Sequence, residues 1–401
     1  DTLYSETAAS MMGVSIMGTD PGNSLSIIDA PEWHHESGFS EAFVGDLIEA
    51  DRYLKSADSD PDAYLYAAVS VWPYRSRRLS VHQRLQLEFV LAQAFAGEND
   101  LTQALDHLEA SADIADFLDE PGTAATIGYE AGRAYHSLSE FTIARDCYRD
   151  ALTLQRSLET HAGPADAARE SELLRRIAGL DCELADFAHA DIAIREAHHL
   201  LHTYRTSRNP AADSATLDWI AALIAHWTGR PEDALPLATT MVATYTRLGL
   251  GQMAGRANSL AAEIALDLTG DFSFENHPDL RAAFADKAEP YAEAAIKFAA
   301  AANDAIGVQL GLLALQRCLR MRGPTLNGIE VIEGVLHVAK RLGDTALLGR
   351  AQLALGEELA AQGRWDSARQ YYSMARHIFE ESEMLALLIW PNRRLFGPDE
   401  P

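Results

Sequence analysis

The sequence has little cysteine, proline and glycine, and it lacks a long apolar run. Its three cysteines, Cys147, Cys182 and Cys318, are far apart and form no CxxC pair. This argues against a disulfide framework and predicts a reducing, cytoplasmic compartment. Fifteen prolines and 26 glycines among 401 residues leave long stretches in which alanine, leucine and glutamate favour helix. The longest apolar stretch near the C-terminus, residues 384–390, is too short to cross a bilayer, so no membrane contact is expected.

Positive charge is also scarce. The chain has only four lysines, and its formal net charge is −26. A surface this acidic repels phosphate backbones, which argues against direct binding of nucleic acid by this chain. A basic peptide or a basic protein face is the expected kind of partner.

Motifs that carry catalysis are absent from the sequence as well. It contains no glycine-rich phosphate loop after a strand, no GxSxG and no HExxH. His198 and His202 lie four residues apart, on one helix face, as a two-histidine metal site requires. Since the sequence assigns no third ligand, a polar helix face is the preferred interpretation. We therefore expect no metal, no cofactor, no catalytic residues and no enzymatic activity.

Internal repeats are the main positive signal. Three segments place large and small side chains at the same offsets, starting near Leu85, Ala125 and Gly349. The last of them has large residues at Leu355, Leu359 and Tyr372 and small residues at Gly356, Ala368 and Ala375. Small residues at matched positions let two antiparallel helices approach closely, while the large residues fill the space beside them.

Two segments also align directly with each other at an offset of 94 residues. The Arg-Leu-Gly at 247–249 matches that at 341–343, and the Gly-Arg-Ala at 255–257 matches that at 349–351. Glu263 then aligns with Glu357. Agreement between two parts of one chain supports a repeat architecture.

The pattern resembles the tetratricopeptide repeat (TPR). Its spacing of about 40 to 46 residues is longer than the usual period of about 34, and it resembles the TPR regions of bacterial adaptor and signal-responsive regulator proteins. The resemblance implies an all-α fold: a right-handed superhelical solenoid of about seven to eight helix-turn-helix hairpins. We expect an irregular N-terminal arm over 1–39, the repeats over 40–382 and a capping tail over 383–401, with Trp390-Pro391 ending the last helix.

The resemblance also implies a concave groove lined by the first helix of each pair. Its groove-facing positions are the candidate peptide- or protein-binding residues: Phe89, Gln93, Tyr129, Arg133, His136, Trp219, His226, Arg256, Glu263, Arg350 and Glu357. Aromatic, arginine and amide groups suit an extended or helical peptide. Two alternatives stay open: Tyr129 and Trp219 can belong to the core, and Arg256 and Arg350 can pair with carboxylates on neighbouring helices.

The preferred functional interpretation is a protein- or peptide-binding scaffold. The alternative is the peptide- or ligand-sensing part of a bacterial transcriptional regulator, whose DNA-binding part would lie outside this sequence or on another chain. A metal-dependent enzyme built on the histidine cluster is the third and least favoured interpretation. A homodimer is an open alternative for the oligomeric state.

Overall fold

The structure is a computed structural model that describes residues 41–56, 63–75, 79–158, 164–204, 209–268, 278–323 and 327–396. These residues form seventeen α-helices, two short 3-10 turns and no strands. The predicted all-helical, TPR-like repeat fold is confirmed. The predicted N-terminal arm over 1–39 lies outside the described residues.

The chain divides into two compact units, and the first extends to Asp166. Within it, consecutive helices pack as pairs. Its helices are α1 (Glu41–Ser56), α2 (Ala63–Val71), α3 (Val81–Gly97), α4 (Leu101–Leu118), α5 (Pro121–Ser137) and α6 (Phe141–Ser157).

The second unit starts at Ala167 and contains nearly all of α7. Its helices also follow one another as hairpins, and a last short helix follows the final pair. They are α7 (Pro164–Glu183), α8 (Phe187–Tyr204), α9 (Pro210–Trp227), α10 (Pro231–Arg247), α11 (Gly251–Asp267), α12 (Pro278–Ala301), α13 (Ala305–Arg322), α14 (Gly328–Leu342), α15 (Thr345–Ala361), α16 (Trp365–Glu381) and α17 (Ile389–Phe396).

The hairpin turns that follow α3, α5, α7, α9 and α15 share one three-residue geometry. The middle residue of the turn is left-handed, as at Asn99 (φ 61°) and Gly363 (φ 76°). The amide of the next residue then donates to a carbonyl five residues back, as Asp100 does to Phe95 and Arg364 does to Leu359, both at 2.9 Å. This arrangement satisfies carbonyls at the helix end and reverses the chain within three residues.

The predicted repeat frame is confirmed where helices of one pair approach each other. A Cβ added to Gly132 would lie 2.7 Å from the ring of Tyr148, and one added to Gly356 would lie 2.5 Å from the ring of Tyr372. Each tyrosine therefore fills the space that the missing side chain leaves. The small residues of the same frame, such as Ala368, are fully buried.

The C-terminal end differs from the prediction. Trp390-Pro391 does not end the last helix, because both residues belong to the first turn of a further helix, α17. The first four amides of a helix have no intrahelical acceptor, so a proline there costs no hydrogen bond. The residue pair therefore starts a helix that follows α16.

Two helical glycines in unit 2 provide a test of the packing. A Cβ on Gly255 would lie 3.0 Å from the backbone nitrogen of Ala299 and 3.3 Å from the carbonyl oxygen of Ala295, whereas one on Gly334 would have no described atom within 4 Å. We expect Gly255→Ala to destabilise the protein by about 1–3 kcal/mol, because the backbone of α12 has to move. Gly334→Ala should stabilise by about 0.5–1 kcal/mol through helix propensity alone. Thermal unfolding of both variants measures the difference, and two shifts of the same sign would contradict this packing.

Candidate functional site

The odd-numbered helices α9, α11, α13 and α15 of unit 2 carry titratable side chains that contact one another. Each contact joins different helices, so the group depends on the fold and not on one segment. We call this group the charged band, and it consists of His226, Glu263, Asp267, Arg317, Arg320, Arg350 and Glu357.

The ion pair between Arg350 and Glu263 joins α15 to α11. One guanidinium nitrogen of Arg350 lies 3.1 and 3.2 Å from the two carboxylate oxygens of Glu263. These residues come from the two segments that align at an offset of 94 residues. The two sequence copies therefore meet through opposite charges in the structure.

Asp267, at the end of α11, joins two further helices. Its carboxylate accepts a hydrogen bond from Arg317 of α13, and it also lies 3.3 Å from Nε2 of His226 on α9. Burial lowers the pKa of His226, and the attraction of Asp267 and Glu263 offsets this only in part. The neutral imidazole is the expected form at pH 7. Its Nδ1 is buried without a hydrogen-bond partner among the described residues.

The carboxylate of Glu357 on α15 accepts hydrogen bonds from two arginines. Arg320 of α13 donates to one carboxylate oxygen, and Arg394 of α17 donates to the other at 2.8 Å. Burial alone raises the pKa of Glu357, but Arg320, Arg394 and Arg317 together lower it to about 2. Glu357 is therefore a fixed negative charge in the interior of unit 2.

Helix α17 lies against this band at two points. Arg394 binds Glu357, and the ring of Trp390 lies 5.6 Å, between centroids, from the imidazole of His226. The two residues are four apart and so share one helix face. The C-terminal helix thus contacts both α15 and α9 within unit 2.

Four of the predicted site residues meet in this band, namely His226, Glu263, Arg350 and Glu357. Arg256 is 3% exposed, and its guanidinium binds Asp304 at 2.7 and 2.9 Å. Trp219 is also buried. It lies two turns before His226 on the same face of α9, and its indole Nε1 has no hydrogen-bond partner in the described part of the chain.

The predicted residues of unit 1 contact the core or other nearby side chains. Phe89 belongs to the core of α3, α4 and α5, and Gln93 is half-buried on α3. The ring of Tyr129 lies 5.7 Å from that of Tyr148. The other two predicted residues are Arg133 and His136. Arg133 binds Glu130 at 2.9 Å, and His136 packs edge-on against Phe141.

Sequence reasoning missed Asp267, Arg317, Arg320, Trp390 and Arg394. Arg317 and Arg320 lie one turn apart on α13, and such a cationic pair on a predicted inner helix was a usable signal. The positions of Trp390 and Arg394 depend on the path of the chain after α16, which has no repeat pattern.

The histidine cluster of α8 is a separate feature. The rings of His198 and His202 are stacked, with centroids 6.1 Å apart, and Nε2 of His198 lies 3.7 Å from Asp218 of α9. Burial lowers the pKa of His198. Among the described residues, no three His, Cys, Asp or Glu side chains are placed to hold a metal ion. The described helices also include none that is long and apolar enough to span a membrane.

Comparison with known proteins finds similarity at the level of structure. No protein-family model matches the chain, and no curated protein matches it in sequence. Aspartyl phosphate phosphatase F from Bacillus subtilis superimposes with a TM-score of 0.62 at 13% identity, covering 86% of each chain. The apo form of the quorum sensor NprR from B. thuringiensis gives 0.63 at 15%, covering 86% of this chain and 90% of that one.

A third solved structure is NprR in complex with its cognate peptide NprX. Its TM-score is 0.54 at 13% identity, and the match covers 87% of this chain and 98% of that one. This likeness establishes the fold. Similar structures thus include one described as a phosphatase and one described as a quorum sensor, both with TPR-like helical repeats.

Proposed function

We propose that this chain is a peptide- or protein-binding scaffold of a regulatory system, and that the charged band is its binding site. One observation carries the proposal. Side chains from four helices that are distant in sequence contact one another, and a buried ring nitrogen of His226 has no hydrogen-bond partner among the residues that the structure describes. A buried polar atom of this kind is costly in a fold built only for stability, so it favours a role for this face beyond stability.

The charges of the band suit recognition better than catalysis. Glu263, Asp267 and Glu357 each bind an arginine. Glu357 is a weak base, because its arginines lower the pKa of its carboxyl to about 2. We therefore propose binding without a chemical step. The same pairs fix the positions of the charged groups, which favours selection among partners.

A sensing module of a transcriptional regulator is the second candidate. It is favoured by the likeness to quorum-sensor structures, one of them in complex with a peptide. With a net charge of −26, this chain itself would leave any DNA contact to another part of the protein or to another chain. The proposed partner is a peptide with positive charge, and the proposed compartment is the cytoplasm.

Two arginines of α13 provide a matched test of the site. Arg320 belongs to the charged band. Arg322 lies on the other side of the helix, where it binds Asp286 and Glu289 of α12. Peptides would be selected from a displayed random library on the wild-type chain, and their affinities measured by titration calorimetry. We expect Arg320→Ala to weaken binding about 10- to 100-fold, since it removes one of the arginines that hold the carboxylate of Glu357 in place.

Arg322→Ala should bind the same peptides as the wild type does, because it removes an equal charge from the opposite face. Circular dichroism melting verifies that both variants are folded. If the library yields no binder, or if Arg320→Ala and Arg322→Ala bind the selected peptides equally, the charged band is not the binding site.

A further inference from the structure

Helix α17 touches the charged band through two specific side chains. The guanidinium of Arg394 donates to Glu357 through Nε at 3.3 Å and through a terminal nitrogen at 2.8 Å. One turn earlier, Trp390 lies over His226. The helix thus presents a cation and an aromatic ring, at a spacing of four residues, to an anion and an imidazole.

These contacts go beyond what capping the last repeat requires. A cap covers the apolar face of the terminal pair, which here is α15 and α16. The Trp390 contact instead reaches α9, three pairs earlier in the sequence. Glu357 is already bound to Arg320, so Arg394 is its second cation.

Two polar atoms near the place where α17 packs on unit 2 also lack hydrogen bonds among the described residues. The side-chain oxygen of Asn392 is buried without a hydrogen-bond partner in the described part of the chain, as is Nδ1 of His226. Asn392 belongs to α17 itself, so its side-chain oxygen loses its hydrogen bonds to water when the helix docks. The docked helix is therefore held by the Arg394 and Trp390 contacts and opposed by the unsatisfied oxygen of Asn392, a balance that allows displacement.

We infer that α17 is a tethered internal ligand of the charged band, which an external peptide replaces. The inference rests on the proposed function of this face. It names the chemistry of the partner: a helical peptide with an aromatic residue and an arginine four residues later. The guanidinium would take the place of Arg394 on Glu357, and the ring would take the place of Trp390 on His226.

Competition explains why such a peptide has to match both contacts. The tethered helix is present at a high effective concentration, so a free peptide with only one of the two groups is outcompeted. Weakening α17 leaves the band unchanged and should therefore raise the apparent affinity for free peptides.

The probe for this inference is the sequence of α17 itself. A fluorescein-labelled peptide, IWPNRRLF, would be titrated by anisotropy against the full chain, Trp390→Ala, Arg394→Ala and the double variant. We expect the double variant to bind the peptide at least tenfold more tightly than the wild type does. Adding Glu357→Gln to the double variant should weaken that binding at least tenfold.

Arg393→Ala is the matched control. It removes the same charge from the next position of α17, but Arg393 lies over the ring of Trp390 and makes no ion pair with Glu357 among the described contacts. This variant should bind the probe as weakly as the wild type does. Arg394→Ala alone changes a side chain that is 30% exposed, so it provides a folded variant if the double one unfolds.

The inference is overturned if Arg394→Ala and the double variant bind the probe no better than the wild type does. If library peptides nevertheless bind the wild type in an Arg320-dependent way, the proposed function stands without the internal ligand. If instead the probe binds the double variant but the library yields no binder, α17 is an internal ligand and the proposed function fails.

Discussion

Arg256→Ala is expected to lower the free energy of unfolding by about 3–5 kcal/mol. The Arg256–Asp304 pair is among the most deeply buried ion pairs described, with side-chain exposures of 2% and 4%. Alanine would leave the carboxylate of Asp304 buried inside unit 2 without the guanidinium that binds it. The loss would be large because an uncompensated buried charge costs more than the pair contributes.

Urea denaturation at pH 7 measures this effect, with Arg322→Ala as the control. Arg322 also binds two carboxylates, but its pairs are largely solvent-exposed, so we expect a loss below about 1 kcal/mol. A double variant, Arg256→Met with Asp304→Asn, should recover part of the stability. It removes both charges and keeps the side-chain oxygen that accepts from the amide of Gly307 at 3.0 Å. Equal losses for Arg256→Ala and Arg322→Ala would contradict the prediction.

Glu183→Gln is expected to stabilise the protein in a pH-dependent way. Glu183 ends α7 and is 6% exposed, and burial raises the pKa of its carboxyl from 4.5 to about 8, against the attraction of Arg350. Between these two pH values the folded protein keeps a proton that the unfolded chain has released. The stability associated with this group is thus fully present below pH 4.5, and it is lost as pH rises through about 8.

Glutamine carries no proton to lose, so the advantage of the variant should grow with pH. At roughly 1.4 kcal/mol per pKa unit, a rise from 4.5 to about 8 predicts almost no gain at pH 4.5 and about 5 kcal/mol at pH 8.5. Denaturant unfolding across this range measures the gain. Glu333→Gln replaces an exposed carboxyl on α14 and should stay within about 0.5 kcal/mol of the wild type throughout. A gain for Glu183→Gln that does not change with pH would contradict the prediction.

The repeat frame was predictable because its signal is local. Gly132 and Tyr148, or Gly356 and Tyr372, belong to one helical hairpin, and their fixed spacing reflects direct contact. Helix ends follow equally local rules, as at Ser80, whose side chain forms a capping box with Gln83. Elements of this kind are encoded within about 30 residues of sequence.

The charged band was only partly predictable, because its contacts join distant repeats. Position in the repeat identified Glu263, Arg350 and Glu357 as candidates, but it did not show that Arg350 binds Glu263 of another helix. Arg256 occupies the same repeat position as Arg350, yet it turns to Asp304. One repeat position thus has two different environments, and the neighbouring acidic residues decide between them.

The burial of α11 limits how unit 2 can move. Thirteen of its 17 residues are buried, and Gly255 brings its backbone against that of α12. Such a helix has little room for repacking, so its amides should exchange with solvent only when most of unit 2 opens. We therefore expect a partner bound to Glu263 or Asp267 to displace whole helix pairs as rigid bodies. In mechanical terms, α11 would transmit the force of a local contact to the helices that pack against it.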